Sequence, residues 1–394
     1  CCFSSLTRQR DVKVPVHGDR FFNKHIAVVG ATGSGKSSSV SRILQEATAA
    51  KSHGYAGLNN SHIVIFDIHG EYASAFPAAK LLSADDIVLP YWLLNDGEMG
   101  DMFLESGDSN NYNQEALLRT IITHCKEMAN PGVAKVNFDS PLKYDIAHLQ
   151  TCFANLSRET KDANDPLTIK TKDGNSVTYA DDRERLTAYC TQPVDFAFKA
   201  TGKINNGPYA DGTIDKFVRR ISAKINNSRL NFMFGPKAAD ATLEDVIRQI
   251  TGYEKTTNSN VTILDLSGIP FEVLSITVSL VTRLLFDFSY HARRQTGQCE
   301  TPFLLVYEEA HKYAPRSDLA RFKASLNSIE RIAKEGRKYG VSLMISSQRP
   351  SEISETIFSQ CSNFLAMRLT NPEDQAYVRR LLPDTLGNLT AGLP

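Results

Sequence analysis

The sequence predicts an α/β fold in which a mostly parallel sheet, covered by helices on both faces, is interrupted by a mainly helical insertion. Three observations carry that expectation. Residues 30 to 37, GATGSGKS, lie between a β-branched run and a helical stretch. Short apolar runs recur along the chain with helical stretches between them. From roughly residue 85 to 255 that alternation gives way to amphipathic helical patterns.

The first strand is read at His25 to Gly30 (HIAVVG), followed by a helix over Lys36 to Ala50. Further strands are read at His62 to Ile68, Thr262 to Leu266, Phe303 to Tyr307, Val341 to Ser346 and Asn363 to Leu369. Runs that are apolar throughout, rather than alternating, fit strands buried on both faces of a parallel sheet. Within the insertion, helices are expected at Asn113 to Met128, Ile146 to Glu159, Arg183 to Ala200 and Asp215 to Ile225. Leu167 to Tyr179 reads as a hairpin turning at Asp173-Gly174, because that pair accepts the positive φ of a tight turn. Loose linkers are expected around Thr201 to Asp211 and Gly252 to Asn260. This divides the chain into a remnant at 1–23, a core of 24–84 with 256–394, and an insertion at 85–255.

A chain of 394 residues that is 42% apolar can bury a large core. Lys+Arg and Asp+Glu are both 44, so the formal charge is zero, unlike a free-standing basic nucleic-acid binder. Positive charge focused into the channel of an assembly stays compatible with that balance. Seven cysteines, at 1, 2, 125, 152, 190, 299 and 361, show no metal-finger spacing. Free thiols in a reducing cytoplasm are expected. No apolar run is long enough to span a membrane, and no signal-peptide pattern is present. The first residue is Cys1 and not Met, so the native start is expected upstream.

GATGSGKS fits G-x-x-x-x-G-K-[ST], a phosphate-binding loop. Gly30, Gly33 and Gly35, with Ala31, Thr32 and Ser34 between them, let backbone N–H groups converge on phosphate oxygens. Lys36 brings positive charge to the β- and γ-phosphates. The Ser37 hydroxyl suits Mg²⁺, and Ser38 continues the helix whose positive dipole end faces the same anion. A nucleoside triphosphate, ATP, with Mg²⁺ is the expected ligand.

Glu308 and Glu309 follow FLLVY. At such a strand end the first acid holds Mg²⁺ through water, and the second polarises the attacking water for in-line displacement. An exposed acidic strand end is the plain alternative. Gln348, past VSLMIS, is either a γ-phosphate sensor or a turn-forming polar residue. Asp67, before HGEY, either meets Mg²⁺, water or a neighbouring subunit, or caps a solvated loop. Arg337, and less readily Arg331, either reaches a neighbouring subunit's ATP or complements a helix end. The basic run at 216 to 229 either touches nucleic-acid phosphates or is a solvated helix face.

Together these pieces resemble the HerA family within the HerA–FtsK group of P-loop motor ATPases. The resemblance rests on KHIAVVGATGSGKS, IFDIHGEY, LPYWLL, ILDLSGIP, LLVYEEAHKYAP, IAKEGRKYGVSLMISSQRPSEIS and NFLAMRLTNPEDQ, in the family's order over residues 24 to 376. It implies a RecA-like (ASCE) P-loop NTPase core and a homohexameric ring that moves double-stranded DNA through its pore. ATP is then hydrolysed between subunits, alongside a NurA-like nuclease partner or another effector. The family's roles map onto Lys36 and Ser37 at phosphate and Mg²⁺, Glu308 at the metal and Glu309 as catalytic acid. They also map onto Gln348 as sensor and Arg337 as the arginine acting in trans. Lys24 stands where a basic residue usually precedes the first strand. Two departures are that family members carry an N-terminal β-barrel before the core and continue past the point where this chain stops. The chain is therefore read as part of a longer protein. A third is Glu for the usual Asp at 308, which keeps the charge on a longer arm. Competing readings are a scaffold or regulator in an anti-phage defence complex with a nuclease or NAD-consuming effector, a secretion or conjugation ATPase, and a nucleotide switch without turnover.

Overall fold

Seven strands run parallel in one sheet: β1 (His25–Val29), β2 (His62–Asp67), β3 (Lys80–Leu82), β4 (Val261–Asp265), β5 (Phe303–Tyr307), β6 (Val341–Ser347) and β7 (Cys361–Ala366). Their spatial order is β7-β1-β6-β5-β2-β4-β3. The computed structural model describes residues 2–6, 9–49, 51–52, 55–56, 61–105, 107–108, 110–254, 257–258, 260–299, 301–316 and 323–381. By its contacts the chain divides into two compact units, residues 1–87 with 242–394, and residues 88–241.

The sheet belongs to the first unit. β1, β2, β5 and β6 are buried along their whole length, because both faces are covered. One face presents Ile26, Val28, Ile63, Ile65, Ile263, Leu304, Val306 and Met344, which pack with Val40, Ile43 and Leu44 of helix α1 (Lys36–Ala49). On the other face Phe66 and Tyr307 stack with centroids 4.6 Å apart. The Tyr307 hydroxyl pairs with Thr282 of helix α2 (Phe271–Thr296) at 2.8 Å. Helix α3 (Ala324–Glu335) lies along α2 through two hydroxyl pairs, Ser275 with Ser325 at 2.7 Å and Ser279 with Ser328 at 2.8 Å.

The six expected strands are present. β3 was not anticipated: it is three residues long, sits at the sheet edge against β4 alone, and leaves Leu81 46% exposed. Nothing in such a segment looks like a buried parallel strand.

The second unit holds helices Asn111–Ala129, Ile146–Leu156, Asp182–Thr191 and Asp215–Ile225, with a four-stranded antiparallel sheet. The expected hairpin pairs Thr168–Lys170 with Ser176–Thr178. Two expectations are corrected. The helix read over Arg183 to Ala200 stops at Thr191, since Pro193 has no N–H to continue it; Phe196 instead bridges to Thr171. The linker read at Thr201 to Asp211 contains the strand Ile204–Asn206, paired with Thr160–Asp162. Of the second expected linker, residues 255, 256 and 259 lie outside the described residues, as does everything beyond 381. Among the described residues no helix is long and apolar enough to cross a membrane. Cys125, Cys152, Cys190 and Cys361 are buried free thiols and Cys299 an exposed one.

His25, at the start of β1, ties three elements together. Its Nε2–H donates to the Ala333 carbonyl of α3 at 3.0 Å, and its Nδ1 accepts the Leu343 N–H of β6 at 3.0 Å. That arrangement needs a neutral ring. Burial lowers the His25 pKa to about 4, against the Ala333 hydrogen bond that raises it and with the nearby Arg337 charge lowering it further. A depressed histidine contributes stability that is present above its unfolded pKa and lost as pH falls through the folded one. Acidification from 6.5 towards 4 is thus expected to cost about 3 kcal/mol at this site. Urea unfolding of the full chain across that window checks it, with His25→Asn flattening the dependence.

Candidate active site

Every strand of the sheet points its carboxyl end to one rim, and the expected site residues gather there with two exceptions. β1 ends at Gly30, whose N–H donates to the Ser347 carbonyl at 3.3 Å; the Ala31 N–H donates to the Arg368 carbonyl at 2.7 Å. The phosphate loop is thereby fastened to the ends of both flanking strands. A Cβ on Gly30 would stand 2.5 Å from Ser34 Oγ and 2.8 Å from Met367 Cβ. Gly33 and Gly35 adopt φ of 76° and 90°, where side chains strain the backbone. Lys36 folds back over the loop, its Nζ donating to the carbonyls of Gly30 at 2.9 Å and Ala31 at 3.3 Å. Ser37 is half-buried and Ser38 exposed at the amino end of α1.

The acids after β5 sit in opposite environments. Glu308 is 3% exposed, accepts the Ile68 N–H at 3.1 Å, and has its pKa raised to about 8, first by burial and then by a hydrogen bond and charge from Asp67. The Tyr313 hydroxyl donates to the Glu308 carbonyl at 2.5 Å and fixes the turn. Glu309 takes a left-handed backbone, φ 45° and ψ 47°. Burial opposes its ionisation, but His311, the Lys36 charge and the Gln348 backbone N–H together hold its carboxyl below the usual range. The environments therefore favour a protonated Glu308 and an ionised Glu309.

Gln348 joins this group from the end of β6: its side-chain carbonyl accepts from the Thr32 hydroxyl of the phosphate loop. Asp67 is fully buried and its carboxylate is spent on backbone. One oxygen accepts the N–H groups of His69, Gly70 and Glu71, at 3.2, 2.8 and 3.2 Å, and the other that of Tyr72 at 2.9 Å. It shapes the HGEY turn and leans on Glu308.

Arg337 and Arg331 are the exceptions. Arg337 lies in a 3-10 turn, Gly336–Tyr339, ahead of β6 and so at the opposite rim, its Nε donating to the Asn23 carbonyl at 3.1 Å. It lines an open cleft of about 840 Å³ with Arg293, Lys334 and Lys338. Arg331 stacks on the Phe286 ring at 4.4 Å and faces Asp287 at 3.5 Å. Neither meets its own chain's phosphate loop. Sequence reasoning overlooked His311 and Ser347. The only signal was a histidine two residues past the acid pair, in a segment that has no periodicity to place it.

A family model described as the central domain of the helicase HerA matches residues 1–285. The chain belongs to that family. It is similar to a probable helicase of Methanocaldococcus jannaschii, 23% identical over 390 residues, covering 95% of this chain and 58% of the relative. It is also similar to the DNA double-strand break repair helicase HerA of Sulfurisphaera tokodaii, 25% identical over 384 residues, covering 97% of this chain and 62% of the relative. The chain thus spans about three fifths of these curated relatives. Among solved structures, VirB4 of Thermoanaerobacter pseudethanolicus superposes with a TM-score of 0.56 at 13% identity, covering 99% of this chain and 90% of that one. That likeness places the HerA-family core here in the RecA-like P-loop fold.

Asp67→Ala tests the HGEY turn. The buried Tyr72 N–H loses its acceptor, at an expected cost of about 1–3 kcal/mol, while the more exposed His69, Gly70 and Glu71 amides turn to water. A lower unfolding midpoint and faster hydrogen exchange at residues 69 to 72 are the readouts.

Proposed function

We propose that this chain is the motor core of an ATP-driven, ring-forming translocase of double-stranded DNA. The observation that carries the reading is the convergence of Lys36, Glu309 and Gln348 on one rim, where the Lys36 charge and the Gln348 N–H help hold the Glu309 carboxyl low and the Thr32 hydroxyl bonds Gln348. In this reading the loop amides beyond Ala31, together with the Lys36 side chain, hold the triphosphate. Glu309, held as a carboxylate, takes the proton of the attacking water. Gln348 orients that water or contacts the γ-phosphate. Phosphoryl transfer asks for positioning and charge compensation, which this group supplies.

The residues fit Mg²⁺. Glu308 and the Ser37 hydroxyl are hard oxygen donors, and a carboxyl raised by burial beside Asp67 is one whose ionisation a cation favours. Bound Mg²⁺ would neutralise charge developing on the β- and γ-phosphates. Asp67 acts through the HGEY turn and Glu308.

Arg337 supports a ring. Exposed and at the rim opposite the phosphate loop, it serves ATP hydrolysis only if a head-to-tail neighbour presents its own loop there, and head-to-tail contacts make a ring where the rotation between subunits closes. The name of one relative, a DNA double-strand break repair helicase, supports the double-stranded DNA substrate; a nuclease or other effector is the partner this reading adds. The cytoplasm is the compartment this reading implies.

Lys36→Ala is expected to abolish nucleotide binding and turnover. Glu309→Gln is expected to keep binding and lose about 10²- to 10⁴-fold in turnover. Activity should rise with assembly, and an equimolar mixture of the inactive Lys36→Ala and Arg337→Ala chains should regain part of it. DNA-stimulated ATPase assays on the native particle measure all three; a Lys36→Ala chain at full activity sinks the proposal.

A further inference from the structure

Glu309 is one of two described non-glycine residues with positive φ, the other being Lys135. A glutamate in that region crowds its Cβ against the backbone, so the neighbours must hold it there. The Lys312 N–H donates to the Glu309 carbonyl at 2.9 Å and closes the turn. The side chain is held by His311, whose Nδ1 lies 3.3 Å from Glu309 Oε2 and 3.2 Å from Ser347 Oγ.

The proton on that nitrogen follows from the partners. A carboxylate only accepts, so a bare Nδ1 lone pair facing it would repel; Nδ1 must carry the hydrogen. Ser347 Oγ already accepts the Arg349 N–H at 2.9 Å, and the Ser347 carbonyl accepts the Gly30 N–H that anchors the phosphate loop. The imidazole therefore clamps the acid turn after β5 to the end of β6, one residue before Gln348. Beyond it, Lys312 Nζ comes within 3.3 Å of His69 Nε2 in the HGEY turn.

We propose that His311 is a positioning residue for ATP hydrolysis: its Nδ1, hydrogen-bonded to Ser347 Oγ and 3.3 Å from Glu309 Oε2, sets the bearing of the Glu309 carboxylate. This rests on the reading of Glu309 as the base. His311 and Ser347 give the base a fixed bearing on the Gln348 turn, so that the two groups addressing the attacking water move together. No proton leaves His311 in the reaction.

Five variants of the full chain test it, with ATP turnover and binding of a fluorescent ATP analogue measured on each. His311→Ala should lower kcat ~10- to 100-fold, the penalty of a misplaced reacting group, with analogue affinity and unfolding midpoint unchanged. His311→Asn, whose side-chain N–H₂ can stand in for Nδ1–H, should recover most of that loss. Ser347→Ala should lower kcat less, and adding it to His311→Ala should cost little more, because the two act through one contact. A His311→Ala chain at wild-type kcat while Glu309→Gln is inactive overturns the proposal and leaves the base reading standing. So does a His311→Asn chain as poor as His311→Ala with analogue affinity lost in parallel, since the histidine then merely supports the site's folding. Should His311→Ala not fold, His311→Asn below Ser347→Ala in kcat overturns it as well. Turnover in Glu309→Gln at the wild-type rate removes the base reading, and the proposal with it.

Discussion

The site depends on the register of β1 between its two neighbours. Val29 lies opposite Ser347 on one side and Ala366 on the other. In that register Gly30 and Ala31 emerge where the carbonyls of Ser347 and Arg368 receive their N–H groups. A phosphate loop must offer its amides to an anion, so few remain to hold the loop itself. Here the first two are given to the sheet, and the Ser34 N–H closes the loop on the Ala31 carbonyl at 3.1 Å. A slip of one residue in β1 would turn its buried set to the opposite face and move the loop off both anchors.

The same parallel arrangement sets the electrostatics. Buried parallel strands place several polar chain ends on one rim, where low dielectric strengthens every interaction between them. Glu308 meets burial and another carboxylate, Asp67, and holds its proton to about pH 8. Glu309, its neighbour in sequence and also buried, meets a lysine, an imidazole and an amide whose effects outweigh that burial. The left-handed backbone at Glu309 separates the two side chains. A right-handed or extended residue there would send the second carboxyl elsewhere.

The sheet was legible because a strand buried on both faces must be apolar at every position, as IVIF at 63 to 66 and FLLVY at 303 to 307 are. The phosphate loop was legible because its glycines answer to local backbone geometry. What escaped notice depends on distant partners. The strands Thr160–Asp162 and Ile204–Asn206 are short and mostly polar, and are set by pairing, with each other and, for the first, with Thr168–Lys170. The sequence left Asp67 as either a ligand-contacting acid or a cap, and its carboxylate accepts four amides only a few residues away. His311 gains meaning from Ser347, 36 residues further on. Pro193 was in plain view, and its missing donor outweighed the helical pattern on either side.

The histidine at the foot of β1 has a mechanical corollary. With one ring it joins the first strand, the third helix and the sixth strand. The basic turn at 336 to 339 follows directly on that helix and leads into that strand. The turn meets that strand through Gly340, so the imidazole, and not the backbone alone, is what ties this corner to close-packed strands. A displacement of the turn that moves Ala333 or Leu343 must stretch one of the two bonds of a buried ring seated on the strand that carries the phosphate loop.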